Sequence, residues 1–359
     1  MADPRAPRLR LLRSGNIGPV TYRQLIARFG SAEAALDAIP MLAARGGGRA
    51  PVLADAARIT REIAAVERLG ARYLFLDDPD YPQLLAETES APPALIVRGD
   101  LALVQRSCVA MVGARNASAA ACRFARELAF RLGEAGVTVV SGLARGIDTA
   151  AHRGAIGGGT VGVIASGIDI AFPPENAELQ EQVAREGLLV AEQPPGTEPL
   201  ARFFPSRNRI IAGLSQGTVV VEAAPRSGSL ITARLAAEAG RDVMAVPGSP
   251  LDPRAQGCNL LIREGATLIQ SVDDILETIH PIDARAVRAP GGGFAGAPPQ
   301  DASDSERRAV EALLGPVPVS VDELVRQSGR APAAVQTVLL ELELAGRLDR
   351  HAGARVSLR

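Results

Sequence analysis

Residues 108–146 read CVAMVGARNASAAACRFARELAFRLGEAGVTVVSGLARG, and this stretch decides the fold. Two short apolar runs, Cys108–Val112 and Thr138–Ser141, enclose a segment whose apolar residues recur at helical spacing. Each apolar run ends in a glycine-containing loop. A strand, a helix and a strand in this order form a right-handed βαβ unit, so the two strands are predicted to be parallel.

The same alternation continues along the chain. The remaining predicted strands are Val161–Ala165, Leu188–Ala191, Thr218–Val221, Val243–Val246 and Thr267–Ile269. The predicted helices cover residues 118–134, 146–157, 175–186, 206–214, 229–239 and 257–264. Because strands and helices alternate and the strands are apolar on both faces, the sequence predicts an α/β domain with a Rossmann-like, doubly wound and mostly parallel sheet.

Sequences of a different character flank this α/β domain, which we place at residues 71–282. Residues 1–70 have helical periodicity and predict a small helical domain. Its turn Asn16–Pro19 weakly resembles a helix-hairpin-helix, but plain helix packing is the favoured interpretation. The glycine- and proline-rich residues 283–303 predict a flexible linker. Residues 304–359 predict three helices and a β-hairpin, which is the pattern of a winged helix.

Composition narrows the compartment and the partners. All 39 basic residues are arginine, and they nearly balance 40 acidic residues, so a nucleic-acid site must arise from local arrangement. The three scattered cysteines favour neither disulfides nor a zinc site and fit a reducing cytoplasm. No apolar run is long enough for a signal peptide or a membrane span. We therefore expect a cytoplasmic protein with no metal site and no membrane partner.

Glycine, serine and arginine follow the predicted strands at the positions where open α/β sheets bind ligands. Glycine lets backbone amides approach an anion, and the guanidinium fork matches phosphate oxygens. The predicted DNA- or phosphate-binding residues are Gly113, Arg115, Asn116, Gly142, Arg145, Gly146, Arg207, Asn208, Arg209, Ser227, Gly228 and Ser229. We expect no cofactor, because none of these loops has the G-x-G-x-x-G or P-loop pattern of a nucleotide site.

One predicted helix has an unusual charge at its start. Pro205 suits the first position of a helix, which would place Arg207 and Arg209 in the first turn. The helix dipole disfavours cations there, so an anion is expected nearby. Phosphate contact is favoured for Arg115 and Arg207, whereas ion pairs inside the protein explain Arg145 and Arg209 equally well.

Several motifs together resemble the signature blocks of the DNA-processing protein A (DprA/Smf) family. In order, they are Gly113-Ala-Arg115, Ser141-Gly-Leu-Ala-Arg-Gly-Ile-Asp148, Phe204-Pro-Ser-Arg-Asn-Arg-Ile-Ile-Ala-Gly-Leu-Ser215, Ser227-Gly-Ser-Leu-Ile-Thr-Ala233 and Val246-Pro-Gly248. The resemblance covers about residues 70–280. It implies a non-enzymatic protein that binds incoming single-stranded DNA in natural transformation, protects it and loads the RecA recombinase onto it. It also implies a homodimer, an N-terminal SAM-like domain and a C-terminal winged helix.

A nucleotide-processing enzyme is the competing hypothesis. Residues 217–222 loosely resemble an element of the lysine-decarboxylase-like phosphoribohydrolases, which would make Glu222 catalytic. His152 follows Asp148 by four residues and so shares its helix face. A structural hydrogen bond explains that pair better than a catalytic dyad does.

Aromatic residues and the winged helix give weaker signals for DNA. Phe172, Phe203 and Phe204 are the nearest candidates for base stacking, although each also fits a core position. The predicted recognition helix, Ala331–Ala345, contains no basic residue. A helix that enters a major groove normally carries positive charge, so a protein contact or an accessory role is favoured for this domain.

Overall fold

The structure is a computed structural model that describes residues 3–279, 301–351 and 353–359. The described residues fall into two units. One unit joins residues 3–63 to residues 301–359, and the other consists of residues 64–279. Most of the predicted linker, residues 283–300, lies outside the described residues.

The helices and strands follow the chain in this order. The helices are α1 (Arg5–Leu12), α2 (Pro19–Phe29), α3 (Ala32–Arg45), α4 (Ala56–Arg68), α5 (Gln83–Ala86), α6 (Ala119–Glu134), α7 (Ile147–Ala155), α8 (Ala177–Glu186), α9 (Phe203–Leu214), α10 (Ser229–Glu238), α11 (Gln256–Arg263), α12 (Val272–Ile279), α13 (Asp304–Glu311), α14 (Val321–Ser328) and α15 (Pro332–Leu344). The strands are β1 (Arg72–Phe75), β2 (Ala94–Gly99), β3 (Cys108–Val112), β4 (Thr138–Ser141), β5 (Thr160–Gly167), β6 (Leu188–Gln193), β7 (Gly217–Val220), β8 (Asp242–Ala245), β9 (Thr267–Leu268), β10 (Val319–Ser320), β11 (Leu348–His351) and β12 (Arg355–Leu358).

The α/β unit is built on a nine-stranded sheet in the order β1-β2-β6-β5-β4-β3-β7-β8-β9. Every pair from β6 to β9 is parallel, which confirms the predicted doubly wound sheet. The chain moves from β3 to β4 on one side, and β7 pairs with the other side of β3. This reversal leaves a crevice beyond the carboxyl ends of the strands, where α/β sheets bind ligands.

Helices cover both faces of this sheet. Along β3, Ala110 and Val112 belong to the apolar cluster that includes Ile210 of α9. Val109 belongs to the opposite cluster, which includes Leu128 of α6. Because successive strand residues face opposite sides, a strand that is covered on both sides must be apolar throughout. This requirement explains the continuous apolar runs in the sequence.

An antiparallel edge extends the sheet beyond the predicted strands. β1 pairs antiparallel with β2, and β2 pairs antiparallel with β6. Neither β1 nor β2 was among the predicted strands. A helix was also missed at Arg5–Leu12, and α3 continues through Pro40 to Arg45. It continues because Ile39 and its neighbours on the next turn are buried, so packing outweighs the hydrogen bond that proline removes.

The second unit combines the N-terminal helices α1–α3 with a winged helix. The winged helix consists of α13–α15 and a small sheet in the order β10-β12-β11. Helix α15 packs against α3 as well as against α13. The N-terminal helices and the winged helix therefore share one unit, although they lie at opposite ends of the sequence. Among the described residues, no helix has the length and apolar character needed to cross a bilayer.

Candidate nucleic-acid interface

A cavity of about 700 Å³ lies at the carboxyl ends of the parallel strands. Its walls come from the end of β3, the loops before α7 and α10, and one side of α9. The predicted residues that line it are Gly113, Arg115, Asn116, Arg207, Asn208, Ser227, Gly228 and Ser229. Residues that are more than 100 positions apart in sequence thus meet at the point where the strand order reverses.

Arg115 is an exposed cation of this cavity. It follows β3 on the turn that leads towards α6, and its guanidinium carbon lies 5.4 Å from the centre of the Phe204 ring. No carboxylate among the described residues forms an ion pair with it. The Phe204 ring supports the side chain from one side and leaves its hydrogen-bond donors for a ligand. A guanidinium held in this way is suited to a phosphate oxygen.

Arg207 is buried, in contrast to Arg115. Its Nη1 donates hydrogen bonds to the carbonyl oxygens of Gly142 and Val163, the second at 2.9 Å. Its Nε donates to Oδ1 of Asn208 at 3.0 Å. The guanidinium therefore ties α9 to the loop after β4 and to the middle of β5 while it contributes to the cavity wall. Its first role is to position α9 against these strands.

The predicted start of α9 is wrong. The helix begins at Phe203 with Arg202 as its N-cap, so Pro205 is the third helical residue and Arg207 lies in the second turn. Proline is tolerated here because the first four backbone N–H groups of a helix have no partner within it. The helix dipole therefore disfavours the positive charge of Arg207 less than expected. The dipole does not explain why Arg207 is buried.

The burial of Arg207 is explained by Asp148, a buried carboxylate at the start of α7. The backbone N–H groups of Gly142 and Ala144 donate to its Oδ2 at 3.2 and 3.3 Å. Burial raises the pKa of Asp148, and the positive charge of Arg207 opposes this effect. Gly142 lies between them: a Cβ at that position would lie 2.6 Å from Cζ of Arg207 and 2.8 Å from Oδ2 of Asp148. The close approach of the two charged groups therefore requires glycine.

His152 is a structural residue and not half of a dyad. Its Nε2 accepts a hydrogen bond from the backbone N–H of Leu143 at 3.3 Å, and its Nδ1 lies 2.8 Å from Oγ1 of Thr160. Burial lowers the pKa of His152 to about 3, so the ring is neutral. In the described residues, no hydrogen bond joins it to Asp148. The hydrogen bond from Leu143 confirms the structural explanation for this histidine.

The other predicted arginines are held by neighbouring carboxylates. Arg145 is exposed and pairs with Glu175 at the rim of a second cavity of about 120 Å³. Arg209 is half-buried, donates to the carbonyl of Ser90 and pairs with Glu192. Arg209 thus belongs to the packing of α9 and does not line the large cavity.

Two of the predicted glycines, Gly142 and Gly146, have different roles. Gly142 lines the smaller cavity together with Arg115 and Arg145. Gly146 lines neither cavity, and its φ is +72°. A Cβ on Gly146 would overlap the carbonyl oxygen of Ala114, so this glycine allows the β4–α7 loop to approach the β3–α6 loop.

The loop before α10 supplies a helix N-terminus to the cavity. Ser227 and Ser229 lie on either side of Gly228, with their hydroxyl oxygens 2.7 Å apart. Gly228 is exposed, and no other atom would contact a Cβ on it. The first backbone N–H groups of α10 are engaged within the turn: that of Ser229 donates to Oγ of Ser227, and those of Leu230 and Ile231 donate to the carbonyl oxygens of Ser227 and Gly228. Gly228 therefore contributes room for a ligand to approach this turn.

Two further arginines of the cavity were missed by sequence reasoning. Arg226 and Arg254 are exposed and line the same space. Arg226 directly precedes the predicted Ser227, and Arg254 lies in the loop after Pro247-Gly248, so both could have been found by extending those loops. With Arg115 and Arg207 they set four arginines against one lining carboxylate, Asp148. Arg254 also pairs with Asp252 beside the cavity, at 2.9 Å between Nη2 and Oδ2. The cavity is locally basic although the chain as a whole is balanced.

Glu222 lies beside this cavity and serves a different element. Its Oε2 accepts a hydrogen bond from the backbone N–H of Ser118 at 2.7 Å, and Ser118 is the N-cap of α6. Nε of Arg254 lies 3.9 Å from Oε1 of Glu222. The carboxylate therefore caps a helix, where the dipole favours negative charge. Within the described residues, no group of three or more histidine, cysteine or acidic side chains could hold a metal ion.

Family models match all three parts of the chain. The model of DNA recombination-mediator protein A matches residues 72–280. A DprA-like N-terminal HHH domain matches residues 2–65, and the DprA winged helix domain matches residues 295–354. The chain belongs to the DprA/Smf family. The family assignment confirms the resemblance that the sequence motifs indicated, together with the helical and winged-helix flanks.

Curated DprA/Smf proteins are similar over most of the chain. Protein Smf of Synechocystis sp. is 36% identical over 80% of both chains. Protein Smf of Escherichia coli is 40% identical over 79% of this chain and 76% of its own. DNA processing protein DprA of Streptococcus pneumoniae is 46% identical over 57% of this chain and 72% of its own.

Two solved DprA structures share the fold. The X-ray structure of DprA from Streptococcus pneumoniae is 42% identical, with a TM-score of 0.59, over 62% of this chain and 77% of that chain. DprA from Helicobacter pylori, whose structure addresses its single-stranded DNA binding mode, is 26% identical. Its TM-score is 0.53, over 58% of this chain and 95% of that chain.

Proposed function

We propose that this DprA-family protein binds single-stranded DNA in the cavity at the strand ends, and that it does so mainly through phosphates. The observation that carries the proposal is the exposed guanidinium of Arg115, which lies on the Phe204 ring beside the N-terminus of α10. The single-stranded DNA binding mode of the Helicobacter pylori relative supports the same ligand. Arg226 and Arg254 extend the basic surface along the cavity.

The geometry favours backbone contacts over base recognition. The Phe204 ring already has Arg115 at 5.4 Å, Arg207 at 5.8 Å and Phe172 at 5.7 Å from its centre. Phe172 is 42% exposed and is the aromatic side chain that remains available at the rim. Phosphates are common to every sequence, so we expect little sequence preference.

We further propose the role that family membership suggests. The protein would act in the cytoplasm as a homodimer, bind incoming single-stranded DNA in natural transformation, protect it from nucleases and load RecA onto it. We propose no enzymatic activity. The position of Glu222 supports this view, because the carboxylate that the enzyme hypothesis requires is engaged by the amide of Ser118 at the start of α6.

The test is fluorescence-anisotropy binding of a labelled oligothymidine across a salt series, with matched duplex as comparison. Three exposed arginines predict that log K falls with log salt with a slope of roughly −2, since each phosphate contact on a single strand contributes about −0.7. The variant Arg115→Ala/Arg226→Ala should bind at least tenfold more weakly and with a slope near about −0.7. Arg185→Ala, which removes an exposed arginine on α8, is the matched control.

Two results would refute the proposal. One is an absence of single-strand binding by the wild-type protein. The other is an equal loss of affinity in Arg185→Ala, which would mean that general charge and not this cavity holds the DNA. Release of a free base from a nucleoside monophosphate by the wild type, abolished in Glu222→Gln, would establish the enzyme hypothesis instead.

A further inference from the structure

Helix α15, the third helix of the winged helix, is apolar on two faces. One face joins the core of the winged helix through Val335, Val338, Leu339 and Leu342. The other joins the apolar cluster of α1–α3 through Leu340 and Leu344. From Val335 to Leu344, every side chain is buried or half-buried. A helix with apolar residues on two faces packs against two neighbours, and this one lies between two small cores.

Glycines bring the N-terminal helices into direct contact with α15. A Cβ on Gly46 would overlap the carbonyl oxygen of Glu341 and lie 2.9 Å from Cβ of Ala345. A Cβ on Gly48 would lie 2.6 Å from the same Ala345 atom. Nη1 of Arg347 donates to the carbonyl oxygen of Gly46 at 3.0 Å. The end of α3 and the loop after it therefore meet the backbone of α15 at a distance that no other residue type permits.

Polar contacts complete this surface. Nε2 of Gln24 on α2 donates to Oε1 of Gln336 on α15 at 2.9 Å. The carboxylate of Glu341 is 1% exposed and accepts two hydrogen bonds from the guanidinium of Arg307, at 2.8 and 3.0 Å. The charge on the buried part of α15 is therefore neutralised within the winged helix itself. Nothing on this part of the helix is arranged for a phosphate or a base edge.

We propose that α15 is a protein-docking element whose partner is the N-terminal helical domain of the same chain, and that the winged helix does not read DNA with this helix. A recognition helix must present an exposed face with donors and positive charge to a groove. Here that position in the winged helix is filled by α1–α3, and the helix carries glutamates and no arginine. The two ends of the chain thus close on each other.

A reversible cross-link tests whether this contact exists in solution. Gln24→Cys/Gln336→Cys is prepared in the full chain with Cys122→Ser, because Cys122 is half-buried whereas Cys108 and Cys258 are buried. A short, reducible bifunctional thiol reagent should join the two cysteines within one chain. The locked and reduced forms should bind oligothymidine and duplex DNA within twofold of each other.

An opening variant gives the complementary measurement. Gly46→Val places side-chain atoms against the backbone of Glu341, which cannot rotate away. Amide hydrogen exchange across α15 should accelerate at least tenfold in this variant. Gly18→Ala is the control, because a Cβ there meets nothing within 4 Å. Retained oligothymidine binding by Gly46→Val shows that the α/β unit is still folded.

Three outcomes would overturn the inference. The first is that the cross-link does not form, or that it forms only between two chains. The second is that the cross-link lowers the affinity for duplex or single-stranded DNA more than tenfold and that reduction restores it. This result would show that α15 must open to bind DNA. The third is that amide hydrogen exchange across α15 is equally slow in Gly46→Val and Gly18→Ala. A wild-type protein that binds no DNA would refute the proposed function and leave the cross-linking and exchange results to decide this inference.

Discussion

Replacing Arg207 by methionine should destabilise the α/β unit severely, although Arg207 lines the DNA cavity. Methionine keeps much of the volume but removes the donors to Gly142, Val163 and Asn208. It also leaves the buried carboxylate of Asp148 without its positive partner. Breaking a buried charge pair by removing one member costs about 3–5 kcal/mol. For a unit of this size, that corresponds to a fall in Tm of about 6–20 °C.

A double-mutant cycle with Asp148→Asn isolates the pair. Asparagine retains an acceptor for the amides of Gly142 and Ala144 and carries no charge, so Arg207→Met/Asp148→Asn should be more stable than Arg207→Met alone. Arg185→Met, on the exposed side of α8, should change the free energy of unfolding by less than about 0.5 kcal/mol.

The cycle also has a pH signature. Without Arg207, burial holds the pKa of Asp148 above that of the unfolded chain, so the folded state binds more protons between the two values. Stability must then fall as pH rises from about 4 through the folded pKa, and the defect of Arg207→Met should be larger at pH 7 than near pH 4. The double variant should lack this difference.

Urea unfolding followed by circular dichroism at several pH values measures all of these quantities. A loss below about 1 kcal/mol in Arg207→Met would show that the buried guanidinium is not paired as described, because an uncompensated buried charge costs more than this. Equal losses in the single and double variants would mean that Asp148 is not its partner.

Three other changes have distinct expected outcomes. Burial lowers the pKa of His152 to about 3, so the free energy of unfolding should fall as pH drops below about 6.5, by up to ~1.4 kcal/mol per pH unit. In urea unfolding, His152→Gln should flatten this dependence on pH. An unchanged slope would mean that another group causes the loss of stability at low pH. Gly146→Ala, at φ +72° and against the carbonyl of Ala114, should cost at least about 2 kcal/mol by thermal unfolding, whereas Gly157→Ala, with open space around its Cβ, should be nearly neutral. Glu222→Gln should weaken the start of α6 by about 1 kcal/mol and leave oligothymidine affinity unchanged; a tenfold loss of affinity would place Glu222 in the DNA site.

The parallel part of the sheet could be predicted because its signal is local. β3 and β4 have the bounds that the sequence predicts, since each is a short apolar run that a glycine loop ends. β1 and β2 were missed because they form an antiparallel edge, outside the alternation of strands and helices that identifies the parallel strands. The three helices and the hairpin of the winged helix were found, but the packing of α15 on α3 was not. That packing depends on Leu340 and Leu344, which lie on a different face of α15 from Val335 and Leu342 and contact helices from the other end of the chain.

The sequence by itself determined which residue types stand at the carboxyl ends of the strands. Parallel strands end at one edge, so Gly113, Arg115 and Ser227 had to come together in any sheet of this topology. Only the tertiary structure decided the role of each arginine. Arg115 is exposed on an aromatic ring, whereas Arg207 is buried against carbonyls more than 40 residues away in the chain. The physical reason is that burial and pairing depend on partners that are distant in sequence, and residue type and spacing do not encode those distances.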